Sequence, residues 1–171
     1  LINGEITYSE IPGANPEALG LLLNLRAVQA IFDDANPATR FLWRYPDGSD
    51  YSPDRQTDEF VRMLPEYYRY GIRAVTVNLQ GGNPRPGRST GAEEWINTAL
   101  TPAGYLHPTY LQRLDRVIEA ADRQGMVVIL GIFYSGQDQR LRDEAAVKRA
   151  VTEVVRYLVE SDFRNVLLEI N

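Results

Sequence analysis

The sequence predicts an α/β domain built from parallel βα repeats. Three observations carry that prediction. Short, nearly continuous apolar runs suit strands buried on both faces, amphipathic segments of helical period lie between them, and the turns from helix into the next strand are minimal.

Residues 1–19 hold an alternating segment around Ile6-Thr7-Tyr8, then Pro12, Gly13 and Pro16. They read as an arm or leading hairpin ahead of the βα units of residues 20–171, all within a single domain. Leu19 to Arg26 is a compact apolar run suited to a first buried strand. Periodicity alone does not separate it from a helix, because Leu25, Val28, Ile31 and Phe32 also fit helical spacing. Asp33 to Pro53 contains Asn36-Pro37 and Pro46-Asp47-Gly48, turn formers that predict a long loop. A helix follows from Asp54 or Thr57 to Tyr70, with Phe60, Val61, Leu64 and Tyr68 inward and Gly71 as its stop. Pro65 inside it predicts a kink or a detached first turn.

Arg73 to Leu79 is the second strand, and Gln80 to His107 a Gly/Pro-rich loop. His107-Pro108 opens a helix with Leu111, Leu114, Ile118 and Ala121 on one face, ended by Gly125. Met126 to Phe133 is a buried strand. Asp143 begins a helix with Val147, Val151, Val154 and Leu158 inward, and Asn165 to Ile170 is the last strand. Parallel βαβ units cross over right-handed, which leaves a doubly wound sheet or a (β/α)8 barrel. No glycine-rich phosphate fingerprint follows a strand. Long loops after strands and tight turns before them (Gly71, Gln124-Gly125, Asp162-Phe163-Arg164) favour the barrel, whose function sits at the carboxyl ends of its strands. A full barrel needs about 250 residues. Four strands and three helices make half of one, a TIM barrel truncated at its fourth strand. The opening Leu1 without Met and the apolar close Val166 to Asn171 suggest a piece of a longer protein.

Composition narrows the chemistry. The 171 residues carry 18 basic and 23 acidic side chains, a net charge of −5 without basic runs, which disfavours nucleic acid. The absence of Cys excludes disulfides, thiol nucleophiles and thiolate metal sites, and a single His excludes multi-histidine metal sites. Neither a metal nor another cofactor is expected. The longest apolar stretch, Met126 to Tyr134, is far too short for a membrane span. Carboxylates, amides, tyrosines and arginines remain.

The stretches Gly71-Ile-Arg-Ala-Val-Thr-Val-Asn78, Gly125-Met-Val-Val-Ile-Leu-Gly-Ile-Phe-Tyr134 and Val166-Leu-Leu-Glu-Ile-Asn171 resemble strands two, three and four of glycoside hydrolases of the cellulase and mannanase type. The resemblance spans roughly residues 54 to 171. It implies a (β/α)8 barrel whose parent cleaves β-linked glycans with retention, through a fourth-strand Glu as acid/base and a second Glu near strand seven. The departures are informative. The family's second-strand Arg falls on Thr76, its third-strand Asp on Gly131 and the following His on Phe133. Glu169 matches the inner-barrel Glu, so the acid/base would fall two residues past Asn171. Retaining hydrolysis needs two carboxyl groups about 5–5.5 Å apart. No catalytic residue is therefore assigned, and the chain alone is expected to be inactive.

Several residues are candidates for substrate contact. Asn78 and Gln80 share one face at the end of the second strand, and amides suit sugar hydroxyls. Tyr134, Gln137 and Asp138 follow the third strand in Y-S-G-Q-D-Q-R, beside Gln139. Asn171 shares a strand face with Glu169. Trp95, with Trp43, Tyr45 and Tyr105, supplies loop aromatics that suit the apolar C–H faces of pyranose rings, or lids over the core edge. His107 at a helix start reads as a cap or surface residue, and the adjacent acids Asp33 and Asp34 as solvated. The expected partner is an oligo- or polysaccharide, with a homodimer or a C-terminal half-barrel completing the sheet. Two other readings stand beside this one: a non-catalytic, self-associating half-barrel, and a small α/β carbohydrate-binding protein without hydrolytic ancestry. The opposite rim, built of tight turns, is expected to form no pocket.

Overall fold

A computed structural model of the chain describes residues 1–81 and 94–169. Its framework is one four-stranded sheet of β1 (Asn24–Arg26), β2 (Ala74–Asn78), β3 (Val127–Gly131) and β4 (Val166–Glu169), all parallel and in sequential order. Three helices make the crossovers: α2 (Pro53–Arg69), α3 (Pro108–Arg123) and α4 (Glu144–Glu160). A doubly wound sheet reverses its strand order and places helices on both faces. Here nothing reverses, and right-handed crossovers in one direction put every helix on one face. The architecture is α/β and consistent with part of a (β/α)8 barrel.

Alternation along the strands sorts their side chains. Val75, Val77 and Leu79, with Val128, Leu130 and Ile132, form the core with Leu64 of α2, Leu114, Val117, Ile118 and Ala121 of α3, and Ala150 and Val154 of α4. The other face carries Arg26, Thr76, Ile129 and Leu167 side by side by register, and Asn78, Gly131 and Glu169 two residues further along.

The first strand is shorter and less buried than the run Leu19–Arg26 predicts. Only Asn24–Arg26 pairs, and Leu21 and Leu23 are exposed, because β1 is a short edge strand and both leucines precede its paired residues. Ile6-Thr7-Tyr8 forms turns rather than a strand. The expected loop 33–53 contains a short helix α1 (Pro37–Arg40) and a 3-10 turn (Phe41–Trp43). Asn36-Pro37 is a helix start, with the Asn36 side chain accepting from Ala38 N–H and proline at the first helical position. In α2, Pro65 does not split the helix into two elements. It sits on the exposed side, where a missing N–H donor removes a bond from a turn already facing water. Pro53, Thr57 and Leu64 are its buried residues, while Phe60, Val61 and Tyr68 are only half-buried; in α4, Val147 is exposed rather than inward.

Tight turns deliver each helix into its strand. Gly71 and Gly125 take φ of 91° and 65°, the left-handed geometry that ends α2 and α3. Asp162 performs the same service after α4 at φ 52°, at a cost glycine would avoid. The arm closes this end of the sheet. Buried Tyr8 donates its hydroxyl to Gly71 C=O at 2.8 Å and accepts from Leu23 N–H at 3.3 Å. Buried Arg73 donates to Glu10 at 2.8 Å and lies 3.8 Å from the Tyr68 ring centroid. An open cleft of about 470 Å³ lies between the arm and Tyr68, Arg73 and Gly125, so this rim does form a pocket. The arm, which local sequence gave no reason to place there, makes its outer wall.

Candidate functional site at the carboxyl ends of the strands

The loops after β1, β2 and β3 meet at the other rim, and buried side chains stitch them together. Gln80, fully buried, donates to Thr98 Oγ1 (3.1 Å) and Gln137 C=O (3.3 Å) and accepts from Tyr134 N–H (3.1 Å). Gln137, also fully buried, accepts from Asn97 N–H (3.3 Å) and Arg140 Nε (2.8 Å) and donates to Trp95 C=O (3.0 Å). Asn97 in turn accepts from Asp33 N–H and the Tyr110 hydroxyl. Burial, with the Asp33 carboxylate nearby, pushes the Tyr110 hydroxyl above its ordinary pKa. Two of the amides assigned to sugar contact by sequence are thus bonded to protein on both sides of their amide groups.

Sequence reasoning missed the centre of this network. Asp34 is fully buried rather than solvated. It accepts from Asn36 N–H (2.9 Å), Thr39 Oγ1 (2.6 Å), Trp43 Nε1 (2.7 Å) and Ile96 N–H (3.0 Å). One carboxylate therefore holds the loop after β1, helix α1 and the loop after β2. Asp33 turns the other way, onto Arg40 at 2.7 Å with Arg113 at 3.7 Å. The only local signal was Asp-Asp-Ala-Asn-Pro, in which one acid and the Asn serve a helix start.

The aromatic candidates divide. Trp43 and Trp95 pack edge to face at 5.8 Å, and Trp43 meets Phe32 at 5.3 Å, so this pair roofs the core edge at the rim. Tyr45 stacks on Tyr51 at 6.0 Å near the start of α2, and Tyr105 lies beside Arg149 of α4. Tyr134 is half-exposed at the rim, and Asp138 is exposed where a 3-10 turn begins (Asp138–Arg140). His107 occupies the N-cap position of α3 without a side-chain cap bond. Asn171 lies outside the described residues.

Asn78 is distinct from the other amides. It is buried on the helix-free face, and its Oδ1 has no hydrogen-bond partner among the described residues. A β-carbon at Gly131 would lie 2.6 Å from that oxygen, so the glycine of β3 gives Asn78 its room. Trp95 Nε1 is likewise buried and unpartnered. Among the described residues, Asn78 Oδ1 is thus an unused acceptor and Trp95 Nε1 an unused donor at this rim. Among the described residues no three His, Asp or Glu side chains converge to hold a metal, and no helix is long and apolar enough to cross a membrane.

No family model matches the sequence, and no curated protein matches it. Among solved structures the chain is similar to a GH5-4 broad specificity endoglucanase from an uncultured bovine rumen ciliate, at 19% identity and a TM-score of 0.47. That likeness covers 88% of this chain and 38% of the endoglucanase chain, so this chain spans well under half of the structure it matches.

Proposed function

We propose that the chain forms the first four βα units of a glycoside hydrolase-like barrel and binds a β-linked glycan at the carboxyl-end rim without hydrolysing it. The observation that carries this reading is the pair of buried, unpartnered polar atoms at that rim, Asn78 Oδ1 and Trp95 Nε1. Leaving such atoms unsatisfied costs about 1–3 kcal/mol each. A sugar hydroxyl is both donor and acceptor and answers either need, while Trp95, Trp43 and half-exposed Tyr134 supply apolar surface for a pyranose face. Gln80 and Gln137 then act behind the site, fixing the loops that present Tyr134, Asp138 and Trp95. Hydrolysis is left out because two acids of this rim, Asp33 and Asp34, serve structure. Asp34 holds four donors and Asp33 is paired with Arg40.

The test is an NMR titration with a β-linked disaccharide. A millimolar site is expected, worth about 4 kcal/mol, with shifts at Asn78, Trp95, Tyr134 and Gln137 and no turnover of aryl β-glycosides. Saturable shifts confined to Gly71, Gly125 and Arg164 would overturn the reading.

A further inference from the structure

We propose that a cleft beside Arg40 binds the carboxylate of a sugar acid, a uronic acid unit, through the outer edge of that arginine's guanidinium. The proposal stands on this cleft and does not rest on the glycan reading of Asn78 and Trp95. The cleft encloses about 300 Å³ and is built within a single loop, the one after β1, from Pro37, Arg40, Phe41, Asp50 and Tyr51.

Arg40 is held from one side. Its Nη1 donates to Asp33 Oδ1 and to Asp34 C=O, both at 2.7 Å. Its Nε and Nη2 make no hydrogen bond among the described residues, and the side chain is 40% exposed. Those two nitrogens form the side fork of a guanidinium, with parallel N–H bonds spaced for the two oxygens of one carboxylate. The pose is fixed in advance. Every carbonyl from Gln29 to Asp34 accepts a side-chain hydrogen bond, the last from Arg40 itself. A guanidinium anchored on ordered backbone loses little freedom when a ligand arrives. Asp33 does not neutralise it in full. The same carboxylate also faces buried Arg113 at 3.7 Å, whose Nη2 has no hydrogen bond among the described residues.

The other walls narrow the class of anion. Phe41 is 58% exposed and offers apolar surface to the C–H face of a ring. The Tyr51 ring lies behind the guanidinium, 5.7 Å from its carbon. Asp50, paired with Arg44 at 3.0 Å, accepts from hydroxyls and repels a doubly charged phosphate more than a single carboxylate. One carboxylate, an apolar ring face and several hydroxyls together describe a uronic acid.

The test is an NMR titration of the whole chain with methyl β-glucuronide, read at Arg40 Nε–H, Phe41 and Tyr51. Methyl β-glucoside and inorganic phosphate serve as matched probes. The glucuronide should saturate at about millimolar concentration, and both other probes should bind about tenfold more weakly. Arg40→Lys keeps the charge and removes the fork, and should weaken binding about tenfold with circular dichroism unchanged. Phe41→Ala changes an exposed residue and should weaken the glucuronide several-fold. No shift at Arg40, a glucoside or phosphate that binds as tightly as the glucuronide, or an Arg40→Lys variant that binds like wild type would overturn the proposal. A neutral disaccharide that shifts Asn78 and Trp95 reports on the rim site separately, whichever way the glucuronide result falls.

Discussion

At the amino ends of the strands the chain turns within a few residues, through Gly71, Gly125 and Asp162 in left-handed geometry, and Tyr8 of the arm is bonded onto the first of those turns. At the carboxyl ends long loops wander, and their shape depends on Asp34, Gln80, Asn97 and Gln137 bonding across as many as 68 positions of sequence. One rim is set by backbone geometry and the other by buried polar side chains. The difference has a thermodynamic consequence. A local turn fails alone, whereas removing one member of a buried network strands the others.

The largest expected effect tests that contrast directly. Asp34→Ala orphans four donors and should cost about 3–5 kcal/mol in urea unfolding, with loss of the near-ultraviolet signal from Trp43 and Trp95. A loss below about 1 kcal/mol would mean that water replaces the carboxylate and that the network is not cooperative. At the other rim, Tyr8→Phe removes one hydroxyl that serves Gly71 and Leu23, and should cost about 1–2 kcal/mol. Hydrogen exchange should quicken in residues 1–23 and leave the carboxyl-end loops unchanged.

Asp162→Gly sharpens the comparison from the opposite direction. It relieves a left-handed non-glycine residue and should stabilise the chain by about 0.5–1 kcal/mol, with only a solvent-exposed pairing to Arg164 lost in exchange. Thermal unfolding reads the sign. The smallest effect concerns the arm. Hydrogen bonds from its own backbone N–H and from Arg73 hold the Glu10 carboxyl below its ordinary pKa of 4.5. Its contribution is therefore present above that value and fades as pH falls through the lower, folded one. Acid should loosen the arm in wild type, and Glu10→Gln should abolish that dependence in an exchange experiment run from pH 6 downward.

The legible part of the molecule and the illegible part follow the same division. The helix from Pro108 to Arg123 and the runs of β2, β3 and β4 announce themselves through periodicity, glycine stops and proline starts. Asn36-Pro37 misled because a proline's consequence depends on which residue caps the segment that it opens. The amides of Gln80 and Gln137 were legible as important at the right rim, but a side chain's sequence position does not say whether its partner is a ligand or another loop.

The sequence by itself determined the α/β alternation, the direction of the strands and the end of the sheet at which long loops gather, because helical and extended periods, turn chemistry and crossover handedness are properties of short segments. Tertiary structure alone decided the rest. It buried Asp34 under four donors, left Asn78 Oδ1 without one among the described residues, and exposed β1, since burial and hydrogen-bond satisfaction belong to residues brought together from distant segments and no short segment encodes which ones will meet.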